Sequence, residues 1–409
     1  MWTMALDRML DQFIVTGALD LTFPDGRRRR YGPGGQGADV QVALHDPALP
    51  RRLVMSPELA LGEAYMDGTL TIARDDLDGF LALMTRNAAH PPLGLRALAQ
   101  RVTRWTRRRD QTNPAERARA NVAHHYDLSG ALYDLFLDAD RQYSCAYFAD
   151  PAMTLEQAQI AKTHHIAAKL CLRPGMEVFE IGCGWGGMAL TLARDYGVRV
   201  LGVTLSQEQH KIATDRAARA GLSDRVRFEL TDYRAVAGRF DRIVSIGMFE
   251  HVGVPHYGEY FDLIRDRLAP DGVALIHTIG RMGPPGATSP WITKYIFPGG
   301  YVPALSEMAA AVEGAGLCPT DLEVWRLHYA QTLRHWHDRF QANLPQARSL
   351  YDDRFCRMWR FYLKASEHTF RHNRQCVFQL QLARRQDAVP LTRDYLYPAR
   401  APRALHAAQ

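Results

Sequence analysis

The 409-residue sequence predicts an α/β protein. Its main part is a doubly wound, mostly parallel sheet with helical additions, and a smaller N-terminal α+β domain precedes it. Three observations carry this. From about Asn113 onward, apolar runs of strand length alternate with helical patterns. One such run, Val178-Phe179-Glu180-Ile181, enters the glycine-rich turn Gly182-Cys183-Gly184-Trp185-Gly186-Gly187, and a helical pattern from Met188 to Tyr196 follows. Before the change, the strand signals are short and separated by turn residues rather than by crossover helices.

The elements follow in order. Leu19 to Phe23 alternates apolar and polar residues, Pro24-Asp25-Gly26 marks a turn, and Val40 to Leu44 alternates again. Pro57 to Tyr65 predicts a helix with Ser56 as N-cap before a first-turn proline, and Asp76 to Thr85 predicts another. His90-Pro91-Pro92 breaks the pattern. Beyond it Leu95, Leu98, Val102 and Trp105 recur at helical spacing between arginines. This basic linker helix suits a membrane surface, with its apolar stripe down and its arginines toward lipid headgroups. It equally suits an inter-domain helix that packs the stripe on a neighbour. Leu155 to Leu170 predicts a helix. Strands are expected over Glu177 to Ile181, Val198 to Val203, Val226 to Leu230, Phe240 to Ile246 and Val273 to Thr278. Helices are expected at Asp215 to Ala220 and around Tyr257 to Leu268. The tail from about Tyr301 reads as mostly helical. Its aromatics (Trp325, Tyr329, Trp336, Phe340, Trp359, Phe361, Tyr362 and Phe370) suit a core or a shield for a cation.

Composition narrows the class. With 47% hydrophobic and 23% charged residues, the chain matches soluble globular proteins. No apolar stretch reaches the roughly 18 residues of a membrane-spanning helix. The start, with Asp7 and Asp11 and no long apolar run, does not read as a signal peptide. The six cysteines are scattered without a C-x-x-C pair, which argues against a zinc site or disulfide framework and for a reducing cytoplasm. The net charge of +6, with basic runs at Arg27 to Arg30 and Arg96 to Arg109, fits an anionic surface or simply a solvated face.

Ligands of doubly wound sheets bind at the carboxyl ends of the strands. Gly182, Gly184 and Gly187 satisfy G-x-G-x-x-G, so the turn alone fits either NAD or S-adenosylmethionine. Dinucleotide sites place an acid about 20 residues further on to hold a ribose hydroxyl. Here the second strand ends in Thr204-Leu205-Ser206, with Gln209 shortly after, and the acid is missing. That favours S-adenosylmethionine. The third strand leads to Thr231-Asp232-Tyr233-Arg234, where Tyr233 could flank an adenine ring. The fourth, ending at Ile246, leads to Gly247-Met248-Phe249-Glu250-His251-Val252-Gly253, and the fifth ends in His277-Thr278-Ile279-Gly280. Taken singly, Glu250 suits a helix start, His277 a satisfied core histidine, and Cys145 and Cys183 small buried residues. A carboxylate and an imidazole at neighbouring strand ends are a stronger pairing.

These segments resemble the cyclopropane-fatty-acyl-phospholipid synthases and the related mycolic acid cyclopropane synthases. The resemblance runs from about residue 120 to the C-terminus. It also includes His125-Tyr126-Asp127-Leu128, Tyr143-Ser144-Cys145-Ala146-Tyr147-Phe148 and Trp291-Ile292-Thr293-Lys294-Tyr295-Ile296-Phe297-Pro298. Leu59 to Leu70 and the layout of the first part resemble the bacterial phospholipid enzymes. The resemblance implies a Rossmann-like class I methyltransferase in three parts: a lipid- or membrane-associated domain at 1–88, the basic linker helix at 89–115 and a catalytic domain at 116–409. It implies S-adenosylmethionine as methyl donor, a cis alkene of a phospholipid acyl chain as acceptor, and a bound bicarbonate as base. By motif matching, Glu250, His277 and Tyr329 contact bicarbonate through side chains, and Cys145 and Ile279 through backbone groups. Tyr126 lies near the reaction centre. Tyr143, Ser144, Glu180, Gly182, Cys183, Gly184, Trp185, Gly186, Thr204, Leu205, Ser206, Gln209, Asp232, Tyr233 and Ile246 are the cofactor candidates. No metal is expected.

Two positions depart from the family pattern. Glu180 stands where members commonly have Asp, and the longer acid is expected still to orient the loop. Ser366 stands where many members have a cysteine, and the bicarbonate mechanism makes that thiol dispensable. The expectation is a cytoplasmic enzyme, peripheral at the inner membrane face and homodimeric, that cyclopropanates unsaturated phospholipids. The alternative product is a methyl-branched or methylene acyl chain. Nucleic acid is not an expected partner, because no N-P-P-Y-like segment follows the fourth strand.

Overall fold

The computed structural model describes residues 1–35, 39–88 and 129–397. The basic helix expected at 89–115, and Tyr126 with its neighbours His125, Asp127 and Leu128, lie outside the described residues.

The first module is built on a four-stranded sheet in the order β2-β1-β3-β4. Its strands are β1 (Gly17–Thr22), β2 (Arg28–Gly34), β3 (Asp39–Leu44) and β4 (Leu70–Ile72). The sequence alternation becomes the burial pattern: Leu19, Leu21, Phe23, Val40, Val42 and Leu44 face the core. The basic run at Arg27 to Arg30 mostly forms β2, and acids of the same module meet its charges. Arg29 pairs with Asp7 and Asp11, and Arg30 with Asp20 and Asp39. Helix Pro57–Asp67 begins where expected, but the Ser56 side chain makes no capping hydrogen bond. Its ends are set instead by Pro57 in the first turn and by Gly68 in the left-handed region.

The second sheet has seven strands in the order β10-β11-β9-β8-β5-β6-β7. They are β5 (Glu177–Ile181), β6 (Arg199–Thr204), β7 (Val226–Leu230), β8 (Phe240–Ile246), β9 (Leu268–Arg281), β10 (Cys318–Trp325) and β11 (Gln375–Ala383). β5 through β9 run parallel, and β5 lies between β6 and β8, so the strand order reverses there. That reversal opens a crevice at the carboxyl ends of β5 and β8. The tail is less helical than its sequence suggests. β10 and β11 add an antiparallel edge to the sheet, with β11 paired along its whole length to the Val273 to Arg281 part of β9. The ladder leaves β11 covered on both faces, and Cys376 through Ala383 are all buried.

The first module docks on the second through helix Asp353–His372 and the short helix Pro290–Tyr295. The N-terminal side of this contact is acidic and the C-terminal side basic. Glu63 meets Arg52 of its own module together with Lys294 and Tyr295, Asp67 meets Arg354, and Asp78 meets Lys364. Burial alone would raise Asp78, but Lys364 and His368 bring it down to about 2. Between these pairs the packing is apolar. Trp291 is buried, its indole N–H faces Met66 Sδ at 3.2 Å, and Phe361 packs against both Trp291 and Tyr65. One hydrophobic cluster therefore runs from Leu19 and Phe80 of the first module to Trp336 and Trp359 of the tail.

Gly62 tests this docking. A methyl group there would come within 2.4 Å of the Trp291 ring. Alanine favours a helix over glycine by about 0.5–1 kcal/mol, whereas overpacking costs about 1–3 kcal/mol. Gly62→Ala is expected to lower the denaturation midpoint despite the helix gain. A raised midpoint would show that the two surfaces do not meet there.

Candidate active site at the strand ends

The glycine turn is anchored to the neighbouring strand. The amides of Gly182 and Cys183 both donate to the carbonyl of Val203, at 3.0 and 2.9 Å. Gly182 and Gly186 hold φ of +83° and +85°, and a Cβ on Gly186 would lie 2.7 Å from the Phe228 ring. Arg216 donates to the Trp185 carbonyl at 2.7 Å. The Trp185 indole turns into the core beside Tyr133, so at this turn the residue offers backbone rather than side chain. Burial pushes Glu180 up to about 8, and a hydrogen bond from the Ala189 amide opposes the rise. Glu180 thus ties β5 to the first turn of helix Gly187–Tyr196. Burial also pushes the Cys183 thiol well up, which removes it as a nucleophile.

The stretch after β6, where the sequence lacks a ribose acid, is a locked turn. The Thr204 hydroxyl donates to Gln209 Oε1 at 2.8 Å and accepts from the Ser206 amide, while Ser206 Oγ accepts from the Gln209 amide. Thr204, Ser206 and Gln209 are buried, and Leu205 between them is half-buried. Asp232 is held by Arg234, whose side chain donates to both carboxylate oxygens at 2.9 and 2.7 Å. Tyr233 sits edge-on to Tyr260, 5.8 Å between ring centres. Ile246 ends β8 directly beside His277 of β9.

Tyr143, Ser144 and Cys145 rest on a polar floor. Lys162, fully buried on helix Leu155–Lys169, donates to Gln142 Oε1 at 2.7 Å and Ser144 Oγ at 2.9 Å. Gln159, one turn earlier, donates to the carbonyls of Gln142 and Ser144 at 3.1 and 3.0 Å. Burial lowers the Lys162 ammonium to about 8, against the pull of Asp138 and Asp140. Sequence reasoning missed Lys162 and Gln159. The available signal was polar residues on the face that this helix turns to the sheet, where Gln159, Lys162 and Lys169 accompany Ile166. Above the floor, Tyr143 stacks on Trp336 with 5.2 Å between centres, and its hydroxyl lies 2.9 Å from that of Tyr362.

The candidates for anion contact converge at the ends of β8 and β9. Glu250 Oε1 accepts from the Ile279 amide at 2.7 Å, and Glu250 Oε2 is buried with no hydrogen-bond partner among the described residues. Burial raises this carboxyl to about 7, although the Ile279 amide pulls it down; the neighbouring Thr278 hydroxyl donates to the Ile279 carbonyl at 3.1 Å. Cys145, Ile279, Tyr329, Trp325 and Val377 pack as one cluster. His277 sits edge-on to the same Trp325 at 5.2 Å, with Nδ1 3.0 Å from Gln379 Nε2. Burial also forces the Cys145 thiol far up, so it is not a thiolate. Glu250, His277, Ile279, Cys145 and Tyr329 thus come from four separate stretches of chain into one neighbourhood. Ser366 is half-buried on helix Asp353–His372, one turn before Phe370, whose ring lies 4.9 Å from that of Tyr329. The aromatic tail is core, and that core reaches Tyr143 and Tyr329.

Lys162→Met would leave Gln142 Oε1 and Ser144 Oγ buried without a donor, at about 1–3 kcal/mol each. Part of that loss is expected to appear as weaker binding of S-adenosylmethionine, roughly tenfold for each 1.4 kcal/mol. Titration calorimetry measures it, and an unchanged affinity would remove Lys162 from the support of the cofactor segment.

Known proteins are similar to this chain in sequence and fold. The profile of the mycolic acid cyclopropane synthetase family matches residues 113–380, and a domain profile of unknown function matches residues 6–89. The cyclopropane-fatty-acyl-phospholipid synthase of Escherichia coli K12 is 39% identical over 359 residues, covering 86% of this chain and 89% of that protein. A probable fatty acid methyltransferase of Pseudomonas putida is 36% identical over 367 residues, covering 86% and 88%. The structure of mycolic acid cyclopropane synthase CmaA1 complexed with SAH and CTAB superposes with a TM-score of 0.62 at 35% identity, over 67% of this chain and 99% of that one. The chain belongs to the mycolic acid cyclopropane synthetase family, Rossmann-like class I enzymes that use S-adenosylmethionine for methyl or methylene transfer to fatty acyl chains.

Proposed function

We propose that the chain cyclopropanates the cis double bond of unsaturated phospholipid acyl chains, with a bound bicarbonate as the base that lets the ring close. Bound S-adenosylmethionine supplies an electrophilic methyl group. The observation that carries the proposal is the half-satisfied carboxyl of Glu250. Its Oε1 is fixed by the Ile279 amide, and its buried Oε2 has no partner among the described residues. A buried acceptor of this kind is costly unless a donor meets it. The hydroxyl of bicarbonate is such a donor. Two bare anions in contact would repel, so Glu250 accepts rather than opposes. His277, Tyr329 and the backbone at Cys145 and Ile279 complete the set of contacts.

The surroundings suit a cation on the acyl chain. Tyr143, Tyr329, Trp336, Tyr362 and Phe370 pack ring against ring and keep water away, and their faces are electron-rich. No thiolate is needed, which fits Ser366 in place of the family cysteine and the buried, protonated Cys145. The glycine turn and the Thr204–Ser206–Gln209 lock hold the cofactor. The module at 1–88 and the basic stretch at 89–115 bring the enzyme to an anionic phospholipid surface at the inner face of the cytoplasmic membrane. No helix among the described residues is long and apolar enough to cross a membrane. The working unit is a homodimer.

A second outcome, a methyl-branched or methylene acyl chain, is favoured by the fatty acid methyltransferase of Pseudomonas putida, nearly as similar as the cyclopropane synthase. The cation would then lose a different proton. Both products gain one CH₂, so mass does not separate them. Expression in a host without such an enzyme, followed by proton NMR of the purified lipid, does. Cyclopropane ring protons with loss of vinyl signals are expected. Retained vinyl signals in a single purified product would overturn the ring-closing assignment.

A further inference from the structure

The geometry points to Gln379 as a positioning residue that holds His277 in one neutral tautomer, with the ring proton on Nε2. β11 pairs antiparallel with β9, and Gln379 stands directly opposite His277 in the register. Both side chains are buried, at 0% and 2% exposure, so water does not compete for their polar atoms. Gln379 Nε2 lies 3.0 Å from His277 Nδ1. An amide nitrogen only donates, so Nδ1 accepts, and a neutral imidazole that accepts at Nδ1 carries its proton on Nε2.

The opposite amide orientation brings no gain at the same site. As placed, Gln379 Oε1 is one buried acceptor without a partner among the described residues. Turned over, Oε1 would take the Nδ1 proton and both amide hydrogens would lie where that acceptor now lies. Either way two polar sites of the amide stay unmet, Oε1 and one hydrogen as placed and both hydrogens when turned over, so nothing favours turning it. Titratable groups on two elements also reach the ring: Lys162, Lys169 and His165 from helix Leu155–Lys169, and Glu323 from β10. Burial, both lysines and His165 disfavour the imidazolium, and Glu323 alone opposes them.

The consequence is a role for His277. A neutral ring with Nε2–H is a hydrogen-bond donor to an anion, and it neither takes the proton of the reaction nor carries a charge beside the acyl cation. What that donor meets rests on the bicarbonate site proposed above, but the tautomer itself does not.

Long-range proton–nitrogen NMR of protein labelled with ¹⁵N-histidine reads the tautomer. The His277 signal is identified by its loss in His277→Gln. The wild type is expected to show the Nε2–H pattern. Gln379→Glu places an acceptor opposite Nδ1, so the pattern is expected to change to Nδ1–H or to the doubly protonated ring. In that variant KM for bicarbonate is expected to rise by about tenfold or more, while S-adenosylmethionine affinity stays within about twofold. An Nδ1–H or charged ring in the wild type would overturn the assignment, and so would an unchanged pattern in a folded Gln379→Glu protein. Should that variant fail to fold, the wild-type spectrum still decides. An Nε2–H ring in an enzyme indifferent to bicarbonate would retire the bicarbonate site and leave the role of Gln379 standing.

Discussion

The hydrogen bond from the Ile279 amide to the Glu250 carboxyl, 2.7 Å long, is the contact on which the site depends. β8 and β9 end side by side, with Ile246 beside His277 and the Gly247 amide donating to the His277 carbonyl at 2.9 Å. Glu250 lies in the first 3₁₀ turn after β8, and Ile279 lies two residues beyond His277. One bond therefore sets the distance between carboxyl and imidazole. It also stabilises a charge in an apolar place. A charge-assisted hydrogen bond is worth about 1.5–3 kcal/mol, less than the several kcal/mol that stripping water from a lone carboxylate costs. The carboxyl rises to about 7 rather than remaining an ordinary acid. Perturbation of this kind, in a crevice at strand ends, is what a site that handles protons requires.

Beneath that contact the protein keeps a second charge dry. Lys162 has no exposed surface, yet its ammonium is shared by Gln142 and Ser144 and faces Asp138 and Asp140. One helix thus holds the Gln142–Ser144 segment by its side chains and, through Gln159, by its carbonyls. Seven residues further along, Lys169 pairs with Asp321 and Glu323 of β10, at 3.2 and 2.6 Å. Helix Leu155–Lys169 is thereby fixed at both ends of its buried face, and the segment above it inherits that rigidity.

Much of this was legible in the sequence, for physical reasons. Parallel strands covered on both faces read as apolar runs, so β5 through β9 were visible, and Glu250 and His277 stood out as polar residues placed just where those runs stop. The edge strands were not. β11 carries Gln375, Gln379 and Gln381 between apolar residues, and all three lie in a strand that looks half-solvated in sequence but is covered on both faces. β10 carries Pro319, Asp321 and Glu323, which read as surface. Their glutamines and acids are satisfied only by partners distant in sequence: His277 for Gln379, the Lys169 carbonyl for Gln381, and Lys169 again for Glu323. Long-range satisfaction leaves no local pattern. The same holds for Ser56, where the local capping signal was present and the capping bond is not.

The central claim is that Glu250 receives the hydroxyl of a bound bicarbonate, and direct binding tests it. Titration calorimetry with bicarbonate, at matched bicarbonate ion concentration, compares the wild type with Glu250→Gln. Below about 7 Glu250 carries a proton; with Oε1 held by the Ile279 amide, that proton sits on Oε2, which then offers the bicarbonate hydroxyl a donor in place of an acceptor, so wild-type affinity is expected to fall as pH is lowered through that value. The variant is expected to bind about tenfold or more weakly, without that pH dependence. Equal affinity for the two proteins, with the same response to pH, would contradict the account.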